Sequence, residues 1–166
     1  MDKTFQPINF NKIDLIGIKV ELTKSQNENF LLIRNLWKRF NLDLKNIENR
    51  KSSNWEKFGI TFKENEQIFY MASIELSSKI NIPENMITTK INQGKYLRFI
   101  HMGKMYDIKN TVYNIYKNIL PALKFKIELN KKNGLIHFEK YDHRFKWNDP
   151  KSLLEIYLPI NTYEYQ

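Results

Sequence analysis

The chain has 166 residues, enough for one domain with a sizeable core, and its lack of cysteine excludes disulfides, thiolate nucleophiles and Cys-based zinc sites. Its formal charge of +9 comes from 27 basic and 18 acidic residues, but the basic ones are mostly single lysines, Lys38-Arg39 and Lys131-Lys132 being the densest runs, whereas a nucleic-acid face gathers them on one element. With no apolar run near the roughly 20 residues that span a bilayer and no signal-peptide h-region, a cytoplasmic protein without membrane or nucleic-acid partners is expected.

Residues 1–12, with Pro7 and several Asn, read as an irregular lead-in. A single domain is expected over residues 13–166, in halves of about 13–83 and 84–166. Ile13 to Leu22 is rich in β-branched residues and alternates, so it predicts a first strand. Ser25 or Asn27 is placed to cap a helix over Glu28 to Asn41, in which Phe30, Ile33, Leu36, Trp37 and Phe40 form one apolar stripe. A polar loop with a short helical turn follows over 43–54. Strands are then predicted over Trp55 to Phe62 and Gln67 to Leu76, with Tyr70 on a face alternate to Phe69 and Met71. If the Phe69-Met71 face packs on the helix, Tyr70 lies on the opposite, ligand-facing side.

After the loop around Pro83 the order repeats. Ile87 to Ile91 and Lys95 to Met102 read as strands. Asp107 to Leu120 reads as an amphipathic helix with Ile108, Val112, Ile115, Tyr116 and Ile119 as its stripe and Pro121 at its limit. Two closing strands follow, LIHFEKY (135–141) and LLEIYLPI (153–160), around a polar turn that carries Trp147. The expected class is α+β: two pseudo-twofold-related β-α-β-β units, a mostly antiparallel sheet, and a groove between the halves.

The sequence carries no Gly-rich dinucleotide motif, P-loop or nucleophile elbow. His101, His137 and His143 are not spaced as a metal site, so neither a metal nor a cofactor is expected. The closing strands are chemically more informative. Glu139 shares a face with His137 and Tyr141, and Tyr157 shares one with Glu155. Placing Phe138, Ile156 and Leu158 on the helix-packed side turns Glu139 and Tyr157 together toward the groove. A carboxylate among aromatic rings suits an organic cation, through Coulomb attraction and cation–π contact. The alternative on residue pattern alone is that Glu139 pairs with a lysine at a sheet edge.

Motif order adds to this reading. The runs YLRFIHMG (96–103), NIYKNILP (114–121), HFEKYD (137–142) and LEIYLPI (154–160) make the second half similar to the GyrI-like small-molecule-binding family. That is the effector-binding domain also found after DNA-binding modules in AraC-type and MerR-type multidrug regulators. LIGIKV (15–20), LWKRF (36–40), FGITF (58–62) and IFYMASIE (68–75) extend the resemblance to the first half. It implies a SOUL-like α+β fold with a central aromatic cleft, with the family's acidic residue at Glu139 and its late tyrosine at Tyr157. The helix end lacks the family's tryptophan before Pro121, and Ala72-Ser73 stands where Ala-Gly is usual.

The implied function is a stand-alone effector-binding protein for lipophilic, cationic, multidrug-type compounds, linked to transcriptional regulation or drug and toxin resistance. Glu139, Tyr157, Trp37, Tyr70, Tyr113 and Trp147 are the expected ligand-binding residues. One alternative is a hydrolase of reactive small molecules with Glu139 as general base and Tyr157 orienting water or substrate. Another is a protein-binding modulator of a DNA-processing enzyme such as gyrase.

Overall fold

The computed structural model describes residues 5–47, 56–76, 81–123 and 133–160. Trp55, Lys131, Lys132 and the later part of the 43–54 loop lie outside these. Eight strands, β1 (Phe5–Phe10), β2 (Ile13–Glu21), β3 (Lys57–Glu64), β4 (Gln67–Glu75), β5 (Ile87–Ile91), β6 (Gly94–Met102), β7 (Gly134–Tyr141) and β8 (Leu153–Pro159), form one sheet. Its order is β1-β6-β8-β7-β3-β4-β2-β5, and every neighbouring pair is antiparallel.

Helix α1 (Gln26–Asp43) follows β2, and helix α2 (Ile108–Asn114) follows β6. Ser25 caps α1 by accepting the Glu28 N–H at 3.3 Å. Helix α2 runs on through a π-helical turn, Ile115–Ile119, into Leu120–Ala122. The widened turn lies just before Pro121, whose missing N–H interrupts an α ladder. No helix among the described residues is long and apolar enough to cross a membrane.

The order mirrors itself about the central β3/β7 pair: β6, β8 and β7 on one side match β2, β4 and β3 on the other. The lead-in expected to be irregular is instead a strand over residues 5–10, so each unit is β-β-α-β-β rather than β-α-β-β. Each unit's first strand crosses to the other unit, β1 pairing with β6 and β5 with β2. Both are edge strands, which is why Pro7 and the polar residues around it are tolerated in β1.

The sheet is a curled half-barrel with two cores. On one face both helices cover Ile16, Ile18, Tyr70, Ala72, Leu97, Phe99, Tyr141, Leu154, Ile156 and Leu158. Among the described residues the other face carries no helix. There Leu15, Phe58, Ile60, Met71, Ile91, Tyr96, Phe138 and Tyr157 cluster, joined by Ile8 and Phe10 from the opposite edge. Residues from both edge strands meet in this second cluster, so the curl closes around it. Tyr70 therefore lies on the helix-packed face and Met71 on the other, the reverse of the arrangement that would place Tyr70 away from the helices.

Candidate functional site

Between the helices and the sheet lies a cleft of about 630 Å³, within the size range of small-molecule sites. Helix α1 contributes Gln26, Phe30, Leu31 and Ile33. The second helical segment contributes Tyr106, Ile108, Val112, Tyr113 and Tyr116, and the sheet contributes Thr61, Tyr70, His137 and Glu139. Tyr106, Tyr113 and Leu31 are 60%, 57% and 55% exposed. Large apolar side chains held in water at the rim of one concavity mark a contact surface better than scattered ones would.

Glu139 forms the anionic part of the floor and is only 6% exposed. Tyr70 donates to its Oε2 at 2.7 Å, and Tyr141 donates to the same oxygen. The Trp37 indole N–H donates to the Tyr70 hydroxyl at 3.0 Å, fixing that ring from behind. Both phenols thus secure one carboxylate oxygen. Among the described residues Oε1 has no hydrogen bond, and it is not sealed from the cleft. Burial pushes the Glu139 carboxyl above its ordinary range, and the Tyr141 and Tyr70 hydrogen bonds pull part of that back. Burial and then the Glu139 charge push both phenols well up, so they remain donors.

This cluster depends on a missing side chain. Gly59 stands opposite Glu139 in the central pair. A Cβ there would lie 2.0 Å from the Tyr70 hydroxyl oxygen and 2.7 Å from Glu139 Oε2. At this central register position one unit carries the carboxylate and the other carries the space it occupies.

Tyr157 does not join the cleft. Glu139 pairs with Ile156 and Phe138 with Tyr157, and residues paired across antiparallel strands share a face. Tyr157 therefore stacks on Phe138, ring centroids 4.6 Å apart, in the helix-free core. Its hydroxyl donates to Glu155 Oε2 at 2.5 Å. Arg144 reaches Glu155 Oε1 at 3.0 Å and Arg98 reaches it at 3.5 Å. Burial pushes Glu155 up, but the Tyr157 hydrogen bond and the two guanidiniums outweigh it and hold the carboxyl below its ordinary range. The two acids of the closing strands thus occupy opposite faces, Glu155 paired with arginines and Glu139 with no cationic partner among the described residues.

Of the other expected site residues, Tyr70 and Tyr113 line the cleft. Trp37 and Trp147 stand behind the lining: Trp37 packs on Tyr141 at 5.2 Å, and Trp147 packs on Phe30 at 6.4 Å. Phe30, Tyr106, Tyr116, Thr61 and the carboxylate partner Tyr141 were not among the expected site residues. The i, i+2 spacing of Glu139 and Tyr141 was the available signal for the last. No group of side chains suited to a metal ion occurs among the described residues.

Residues 8–160 match the family described as Cass2, integron-associated effector binding protein. The transcriptional regulator BrlR of Pseudomonas aeruginosa is 32% identical over 97 residues, 58% of this chain and 34% of the regulator, so the chain spans about a third of that relative's length. Among solved structures, SAV2435 bound to tetraphenylphosphonium superposes with a TM-score of 0.74 at 18% identity, covering 98% of this chain and 96% of the other. The integron cassette protein VCH_CASS2 of Vibrio cholerae superposes with a TM-score of 0.65 at 20% identity, covering 96% and 97%. A hydrolase of Listeria innocua gives 0.54 at 10% identity, covering 96% and 92%. At these identities the solved structures establish the fold.

Proposed function

We propose, from the premise that this chain belongs to the Cass2 family of integron-associated effector binding proteins, related to the GyrI-like domain, that its cleft binds lipophilic organic cations. The observation that carries the proposal is Glu139: a buried carboxylate at the floor of an aromatic cleft, with one oxygen held by two phenols and the other open. Phe30, Tyr70, Tyr106, Tyr113 and Tyr116 offer faces or edges to a bound cation, each cation–π contact contributing roughly 0.5–2 kcal/mol. SAV2435 bound to tetraphenylphosphonium supports the cation class, and the transcriptional regulator BrlR supports a reading in which this binding serves transcriptional regulation.

Intrinsic fluorescence titration with tetraphenylphosphonium tests the reading, since Trp37 is hydrogen-bonded to Tyr70 within the cleft floor. The cation prefers ionised Glu139, whose pKa is raised by burial. Affinity should therefore fall as pH is lowered into the acid range, beginning above the range of an ordinary carboxylate. Binding should also release a proton at the lower end, because the ligand favours the ionised form. Affinity that stays flat across this range would remove Glu139 as the counter-charge.

Tyr157→Phe should leave tetraphenylphosphonium affinity within about twofold while lowering stability by about 1 kcal/mol, through loss of the hydrogen bond to Glu155. A large loss of affinity in a normally folded variant would return Tyr157 to the site.

A further inference from the structure

Glu139 occupies one end of the cleft floor, and the other end is also polar. Thr61 and His137 face each other across β3 and β7, one same-face step from the Gly59–Glu139 pair. Both line the cleft and both are only 8% exposed. A bulge follows immediately, the register shifting between Thr61 and Phe62 so that Phe62 pairs with Leu135. Leu135 joins the helix-free core while His137 stays on the cleft side. Bulges of this kind re-aim a side chain within a sheet.

His137 is oriented by its neighbour. Its Nδ1 lies 2.8 Å from the hydroxyl of Tyr116, which sits in the π-helical turn after α2. Burial pushes the Tyr116 phenol up and the His137 ring down to about 4, so both are neutral at physiological pH. Among the described residues the Tyr116 hydroxyl has no other acceptor. We assign the Tyr116 O–H as the donor to Nδ1, the arrangement that gives this hydroxyl a protein acceptor, and with it the ring proton lies on Nε2. Neither Nε2 nor the Thr61 hydroxyl has a hydrogen bond among the described residues, and neither is sealed from the cleft. A neutral imidazole donor and a hydroxyl thus stand without a hydrogen-bond partner among the described residues, one same-face step along the strands from the Glu139 carboxylate.

We infer that Thr61 and His137 form a hydrogen-bonding subsite about 7 Å along the strands from Glu139, and that the cleft selects aromatic organic cations carrying a carbonyl or similar acceptor at that spacing from the charge. This rests on the cation-binding reading and narrows its ligand class. A purely hydrocarbon cation displaces water from Nε2–H and the Thr61 hydroxyl without replacing its hydrogen bonds, and sites built to pair a ligand atom discriminate against analogues that lack it.

The test compares two probes, trimethyl(4-phenylbutyl)ammonium and its ketone, trimethyl(4-oxo-4-phenylbutyl)ammonium. Wild-type protein should bind the ketone about fivefold tighter. In His137→Phe the preference should shrink to within about twofold, and in Thr61→Val it should shrink in part. The urea denaturation midpoint of each variant checks its fold, and the preference is read as the ratio of the two probes' affinities within that variant, so a general change in cleft affinity cancels. Equal affinities in the wild type, or a preference that survives in the His137→Phe/Thr61→Val double variant, overturns the subsite and leaves the cation-binding reading standing. Binding of neither probe by the wild type overturns that reading and the subsite with it.

Discussion

Glu139→Gln is expected to weaken tetraphenylphosphonium binding about a hundredfold at neutral pH while leaving the fold at least as stable. At an effective dielectric of roughly 20, a charge pair 5–6 Å apart is worth about 3 kcal/mol, near the free energy of a hundredfold change. Stability should not fall, because burial raises the carboxyl's pKa and the ionised group opposes folding. The Gln carbonyl can still accept from Tyr70 and Tyr141 where Oε2 does now. Fluorescence titration and urea denaturation of the same preparation read the two effects separately. Equal affinity in wild type and variant would sink the charge role. Turnover of an electrophilic substrate that disappears in Glu139→Gln would instead favour hydrolysis. In that case Tyr70 and Tyr141 assist the carboxylate, since Tyr157 lies across the sheet.

The second large effect concerns Gly59. Replacement by Ala is expected to cost about 2–3 kcal/mol and to disrupt the carboxylate cluster. The new Cβ would meet the Tyr70 hydroxyl oxygen at 2.0 Å and its Cζ at 2.7 Å. Neither atom can retreat easily: the ring is 1% exposed and its hydroxyl is held by Trp37 and Glu139. Because the same Cβ approaches Glu139 Oε2 at 2.7 Å, ligand affinity should fall along with the denaturation midpoint. Tyr70→Phe in the Gly59→Ala background removes the nearest atom and should recover part of the lost stability. A Gly59→Ala protein with a wild-type midpoint would show that the cluster relaxes freely.

Much of this architecture is local and therefore legible in the chain. The three- and four-residue spacing of Phe30, Ile33, Trp37 and Phe40 specifies α1, and period-two alternation specifies most of the strands. The antiparallel α+β class follows from the order of those elements, and the resemblance gave Glu139 its place on the cleft floor. The β1 strand escaped because Pro7 argues against a central strand, and only an edge position tolerates it.

What parity within one strand cannot supply is the relation between strands. Glu139 shares a face with His137 and Tyr141 whatever the fold, because side chains in a strand alternate. Whether Tyr157 joins them depends on the register of β7 against β8, and a shift of one residue moves every side chain of a strand to the other face. The pairing of Glu139 with Ile156 sends Tyr157 and Glu155 away, and the pairing of Glu139 with Gly59 admits Tyr70 in their place. The chain by itself determined the elements and the acid; tertiary register decided which aromatic hydroxyls surround that acid, because only contacts distant in sequence set it.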